Sequence, residues 1–63
     1  MTNAQRAAET SYLAAMYQVL LSNHIKPSEA ARMVDREMIV RMLIRKLHRE
    51  PTELEISREF ARL

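Results

Sequence analysis

Arg36-Glu-Met-Ile-Val-Arg-Met-Leu-Ile-Arg-Lys-Leu-His-Arg49 decides the fold class of this 63-residue chain. At about 100° per residue, Ile39, Val40, Leu43, Ile44 and Leu47 gather within roughly 140° of a helical wheel. Arg41, Arg45 and Arg49 recur at i, i+4 and i+8 on the other side, beside His48, with Met38 and Met42 among them. That spacing belongs to an amphipathic helix; a strand would alternate every second residue. Asp35 is placed to cap its start, so the spacing predicts a helix from Arg36 to about Arg49.

The segments on either side are helical too. Downstream, Pro51 stops the helix, and Thr52 with Glu55 three residues on forms a capping box. A last helix is predicted from Glu53 towards Leu63, with Ile56, Phe60 and Leu63 as its apolar stripe. Glu53 and Glu55 at its start and Arg62 at its end complement the helix dipole. Upstream, Pro27 suits a first helical position, and a short helix to about Val34 is expected. The alternative is one continuous helix through Asp35 and Arg36. Ser22 to Pro27 reads as a connection, with Asn23 as the residue able to take the left-handed conformation in a chain without Gly.

The first helix is predicted from Asn3 or Ala4 to Ser22, capped by Thr2 or Asn3. Thr10 to Asn23 carries no formal charge, whereas Arg32 to Glu50 carries nine charged side chains, six of them Lys or Arg. Tyr12, Leu13, Met16, Tyr17, Leu20 and Leu21 cover about half of the first helix, and Ala4, Ala8, Ser11, Ala15 and Ser22 form a second uncharged stripe. A helix apolar on two sides asks for burial on two sides. We expect core on one side and a dimer seam on the other, carried by Tyr12, Leu13, Ala15, Met16, Tyr17 and Leu20.

Composition agrees with an all-α class. Gly is absent where average usage of about 7% would give roughly four. That argues against phosphate-cradling glycine loops and tight hairpins. A chain of this size buries only about 60% of the surface that its unfolded form exposes. With no Cys, disulfides and thiolate metal sites are excluded, and self-association is the remaining route to stability. The absence of Cys fits a reducing cytoplasm. No apolar run approaches the roughly 18 to 20 residues of a membrane span. Met1 is followed by polar residues, so no secretory signal is expected.

No catalytic constellation is visible. Ser11, Ser22, Ser28 and Ser57 lack a nucleophile elbow, and His24 and His48 lack ligand spacing, so neither an enzyme, a metal site nor a cofactor is expected. The basic stripe is the feature with functional content. Arg41, Arg45 and Arg49, joined by Arg36, Lys46 and His48, could follow a line of phosphates or meet an acidic protein surface. A plain solvated face is the bland reading. Met38 and Met42 beside these cations favour a partner, because Met suits adaptable contact surfaces.

Three resemblances accompany this pattern. Lys26-Pro-Ser-Glu-Ala-Ala-Arg-Met-Val34 with Asp35 and Met38-Ile-Val-Arg-Met-Leu43 resembles a helix-turn-helix: Ala30 falls at its small position, and Met33, Val40 and Leu43 at its apolar ones. Val34 stands where that motif has its turn Gly, and Asp35 where it has an apolar residue. Arg49-Glu-Pro-Thr-Glu-Leu-Glu-Ile56 resembles a short helix start in bacterial sigma factors. Met38 to Leu47, between a long helix and a short last one, is similar to small helical bacterial regulators of the biofilm and acid-resistance connector family. That resemblance implies a dimeric regulatory adaptor and transfers no binding residue.

The reading is therefore one helical domain over residues 1–63, of three to four helices in a small bundle completed by dimerisation. Its expected role is transcription regulation in a bacterium or phage, with nucleic acid bound through the basic helix. The alternative is a protein-interaction adaptor or anti-activator using the same Arg and Met face.

Overall fold

A computed structural model describes residues 1–62 and holds three helices: α1 (Asn3–Ser22), α2 (Pro27–Leu47) and α3 (Glu53–Ala61). The protein is all-α, as the sequence pattern requires. The predicted Leu63 end of the last apolar stripe lies outside the described residues.

The ends of the helices follow local chemistry. Thr2 Oγ1 accepts from the Gln5 N–H at 3.1 Å while Gln5 Oε1 accepts from the Thr2 N–H at 2.8 Å, a reciprocal cap. Thr52 and Glu55 form the same box on α3, as expected: the Glu55 N–H donates to Thr52 Oγ1 at 3.2 Å, and the Thr52 N–H donates to Glu55 Oε1 at 2.8 Å. Pro27 is the first residue of α2 and needs no partner for an N–H that it lacks.

Two helix boundaries differ from the sequence reading. The expected break at Asp35 is absent. α2 runs unbroken through Asp35, which lies exposed at mid-helix and caps nothing. No Gly or Pro interrupts Ser28 to Leu47, and an interior Asp costs at most about 0.7 kcal/mol relative to Ala, too little to stop a helix. The helix-turn-helix-like segment 26–43 accordingly contains no turn. α2 also ends two residues earlier than predicted. His48 adopts φ 58°, ψ 31°, and its N–H donates to the Ile44 carbonyl at 2.8 Å. The left-handed residue after α1 is likewise His24, with φ 65°, not Asn23. Asn23 instead donates its side-chain amide to the Val19 carbonyl at 2.9 Å. In a chain without Gly, His takes both left-handed positions, which non-Gly residues other than Asn, Asp and His rarely fill.

α2 is the central element. Among the described residues, α1 and α3 each pack on α2 and not on one another. Ile39 and Leu43 of α2 close on Ile56 of α3, with Val40, Leu47 and Phe60 against them. Ala30 is fully buried but stands outside that cluster. Nine residues separate Ala30 from Ile39, which places them about 180° apart on the helix. Arg41 and Arg45, on the Ala30 side, reach Tyr12 and Glu9 of α1. So α1 covers one side of α2 and α3 the opposite side.

This arrangement leaves the chain open. α1 has no buried residue; Leu13, Met16, Tyr17, Leu20 and Leu21 are only half-buried. The radius of gyration is 12.6 Å, against about 11 Å for a compact domain of this length.

Ile39, with 2% of its surface exposed, should be the most sensitive position: Ile39→Ala is expected to cost about 2–5 kcal/mol. Thr52→Ala should cost about 1 kcal/mol through loss of its cap. Asp35→Ala should cost nothing and raise stability by up to about 0.7 kcal/mol. Urea unfolding followed by circular dichroism checks all three. Destabilisation by Asp35→Ala would mean that Asp35 does end a helix.

Candidate interaction surface

The arginines of the basic stripe do not stand free. Each reaches a carboxylate of the same chain. Arg36 makes a two-pronged contact with Glu53, at 2.6 and 3.1 Å. Arg45 reaches Glu9 at 2.6 Å from Nη1 to Oε2. Arg49 holds Glu55 at 2.9 and 3.0 Å. Arg41 donates from Nε to Glu37 at 3.2 Å and lays its guanidinium 4.2 Å from the centre of the Tyr12 ring. A fork-shaped guanidinium matches a carboxylate edge to edge, which is why the contacts of Arg36, Arg45 and Arg49 come in pairs.

These pairs fasten α2 to its neighbours. Arg45–Glu9 ties α2 to α1, Arg36–Glu53 ties α2 to α3, and Arg49–Glu55 ties the connection after α2 to α3. They are partly exposed, and such pairs contribute at most about 1 kcal/mol each. Their larger effect is on the surface potential. A line of positive charge becomes a line of near-neutral ion pairs, and a phosphate approaching Arg36, Arg45 or Arg49 meets a carboxylate beside each cation.

The predicted site residues thus divide. His48 terminates α2 and Arg49 follows it outside the helix, so neither continues the stripe. Arg36 faces α3, while Arg41 and Arg45 face α1. Lys46 lines a shallow groove with Leu47 of α2 and Arg58 of α3. Met38, Met42 and Arg45 do share one surface. With Met1, Arg6 and Leu13 they line an open groove of about 380 Å³, whose far wall is Glu59 of α3. Met38 and Met42 keep 40% and 39% of their surface exposed.

The six α1 residues expected at a dimer seam also divide. Leu13 lines the methionine groove. Met16, Tyr17 and Leu20 are half-buried, and among the described residues α1 packs on α2. Tyr12 and Ala15 are exposed, Tyr12 beneath the Arg41 guanidinium.

What the sequence missed is the set of partners. Glu37 to Arg41 is an i, i+4 pair and could have been read directly. Glu9 to Arg45 spans 36 positions and has no sequence signal. Glu55 was read only as a cap, yet it also binds Arg49.

Among the described residues no group of three His, Cys, Asp or Glu side chains is placed to hold a metal ion. No helix there is long and apolar enough to cross a membrane. Comparison with known proteins adds no neighbour: no family model, curated protein or solved structure matches the chain.

Glu55 supplies a pH test. The hydrogen bonds from Arg49, and next those from the Thr52 backbone, hold its carboxyl well below the ordinary 4.5, at about 2. The unfolded chain binds this proton more tightly, so stability from Glu55 is fully present above pH 4.5 and is lost as pH falls towards 2. Arg36 holds Glu53 below its ordinary value in the same sense. The melting temperature should be flat from neutral pH to about 5 and fall below that. Glu55→Gln should lower it at neutral pH and flatten the acid slope. An unchanged slope would place the acid sensitivity elsewhere.

Proposed function

We propose that this chain is a small regulatory adaptor, a cytoplasmic binding protein and not an enzyme, that acts as a homodimer and takes a protein partner in the Met38–Met42 groove. The observation that carries this reading is the groove itself. Two exposed Met side chains stand on one side of α2, over Leu13 and between the walls made by α1 and α3. Flexible, polarisable Met side chains adapt to different apolar shapes. A groove between helices with an apolar floor suits the apolar stripe of an amphipathic helix. Arg6 and Glu59 at the rim would orient such a helix by its polar residues.

The support for a homodimer is apolar surface left uncovered on both α1 and α2, with Tyr12, Val19 and Met33 exposed. A helix with two uncharged sides and no buried residue has more apolar surface than α2 alone covers.

Nucleic acid is the second reading. Lys46 and Arg58 line a common groove and are in no ion pair among the described residues, and the paired arginines are exposed enough to exchange carboxylate for phosphate. It ranks second because every arginine of the stripe brings a carboxylate with it.

Two variants separate the readings. Met38→Ser with Met42→Ser should abolish capture of a protein from a nuclease-treated bacterial lysate, while Arg41, Arg45 and Arg49 changed together to Gln should weaken it less, because desolvated apolar anchors dominate protein interfaces. Binding to duplex DNA that falls steeply with salt in the wild type, with a log–log slope reduced by about 0.9 per lost phosphate contact in the triple Gln variant, would overturn the order.

A further inference from the structure

α2 has four sides, and only two are occupied. α1 covers the side of Ala30, and α3 covers the side of Ile39 and Leu43. Met38 and Met42 mark the third side. Val40 and Ile44 mark the fourth, about 200° from the two methionines at 100° per residue. On this fourth side, and reaching towards α1, Glu37, Val40, Arg41, Ile44 and Arg45 surround a shallow depression. Tyr12 of α1 stacks beneath Arg41 at its edge. Val19 follows Tyr12 by seven residues, and Met33 precedes Val40 by seven, so each extends the same side along its own helix. Tyr12, Val19 and Met33 are 48%, 58% and 43% exposed.

We propose that a second copy of this chain seats on this side, with the two α2 helices packed antiparallel about Val40. The inference rests on the homodimer reading above and deepens it by naming the surface: α2 contributes the centre of the seam, and α1 contributes only Tyr12 and Val19 at its flank.

Two observations favour a second copy as the occupant. The first is area. A compact monomer of 7.4 kDa exposes about 4,200 Å², and this chain exposes 4959 Å². The surplus of about 750 Å² is close to the roughly 800 Å² that each partner covers in an interface of standard size. The second is charge. Glu37 and Arg41 flank the depression with opposite signs, half-buried and paired with each other. A two-fold axis between antiparallel α2 helices at Val40 brings Glu37 of each copy to within about 3 Å, measured along the helix, of Arg41 of the other, well within reach of these long side chains. The same two residues then serve both copies, as an isologous contact requires. The methionine groove shares only Arg45 with this depression, and Met38 and Met42 themselves stay open in such a dimer, so self-association leaves the partner surface accessible.

The chain has no Cys, so a single introduced thiol reports on the seam without background. The wild type should sediment as a dimer. Val40→Cys should cross-link to a covalent dimer under mild oxidation, because thiols near a two-fold axis come within disulfide reach. Met42→Cys, on the open side, should cross-link only at the slow rate of random collision. Val40→Lys should weaken dimerisation by on the order of a hundredfold or more, since it sets two like charges against each other across the axis and desolvates both. Circular dichroism distinguishes a folded monomer from an unfolded chain, and if Val40→Lys unfolds, the cross-linking result alone decides. A wild-type chain that stays monomeric at its highest soluble concentration overturns both the homodimer reading and the seam. A wild-type dimer that cross-links through Met42→Cys and not through Val40→Cys overturns the seam alone.

Discussion

Every tertiary contact between helices in the described chain is made with α2. α1 and α3 never meet, so neither can shield the other, and one helix must act as the core for both. The tightest point is Ile39 and Leu43 against Ile56. A side chain such as Ile contributes about 1.5–3 kcal/mol when fully buried, and besides Ala30 only these three residues reach that condition. Against the 5–15 kcal/mol typical of a native domain, each is a large fraction of the total. The rest of the architecture follows from this shortage of buried surface.

Ion pairs become informative in that setting. Arg36 with Glu53, Arg45 with Glu9 and Arg49 with Glu55 tie both outer helices to α2 and its C-terminal connection at points where little apolar surface is covered. Their energies are small because water reaches them. Their geometry still counts, because forked pairs fix how a helix is set on its neighbour when few side chains interlock. The same pairs use up the arginines that a phosphate backbone would need. One set of contacts therefore strengthens a thin fold and quiets its charge.

The amphipathic pattern of α2 was legible in the sequence, but its meaning was not. Ile39, Val40, Leu43, Ile44 and Leu47 read as one apolar side. In the folded chain Ile39 and Leu43 are buried under α3, whereas Val40, which only edges that cluster, and Ile44 remain half-open towards another side. A helical wheel shows which residues could be covered and says nothing about where the neighbouring helices lie. The basic stripe was legible to the same limited extent: its charges could be read from the spacing, and their carboxylate partners on α1 and α3 were invisible to any pattern within α2. Asp35 shows the opposite error. Its cap propensity was a local preference of a few tenths of a kcal/mol, and the continuous helix around it outweighed that preference.

The sequence by itself determined what depends on neighbours within about four positions: an all-helical chain, the Thr2 and Thr52 ends, Pro27 at the start of α2, and the absence of any strand among the described residues. Hydrogen bonds from i to i+4 and caps from i to i+3 are written in adjacent residues. Only the tertiary structure decided that α1 and α3 take opposite sides of α2, that Arg45 finds Glu9 across 36 positions, and that two sides of α2 stay uncovered. Those choices balance weak, long-range contacts against the entropy of closing each connection, and no single stretch of the chain carries that balance.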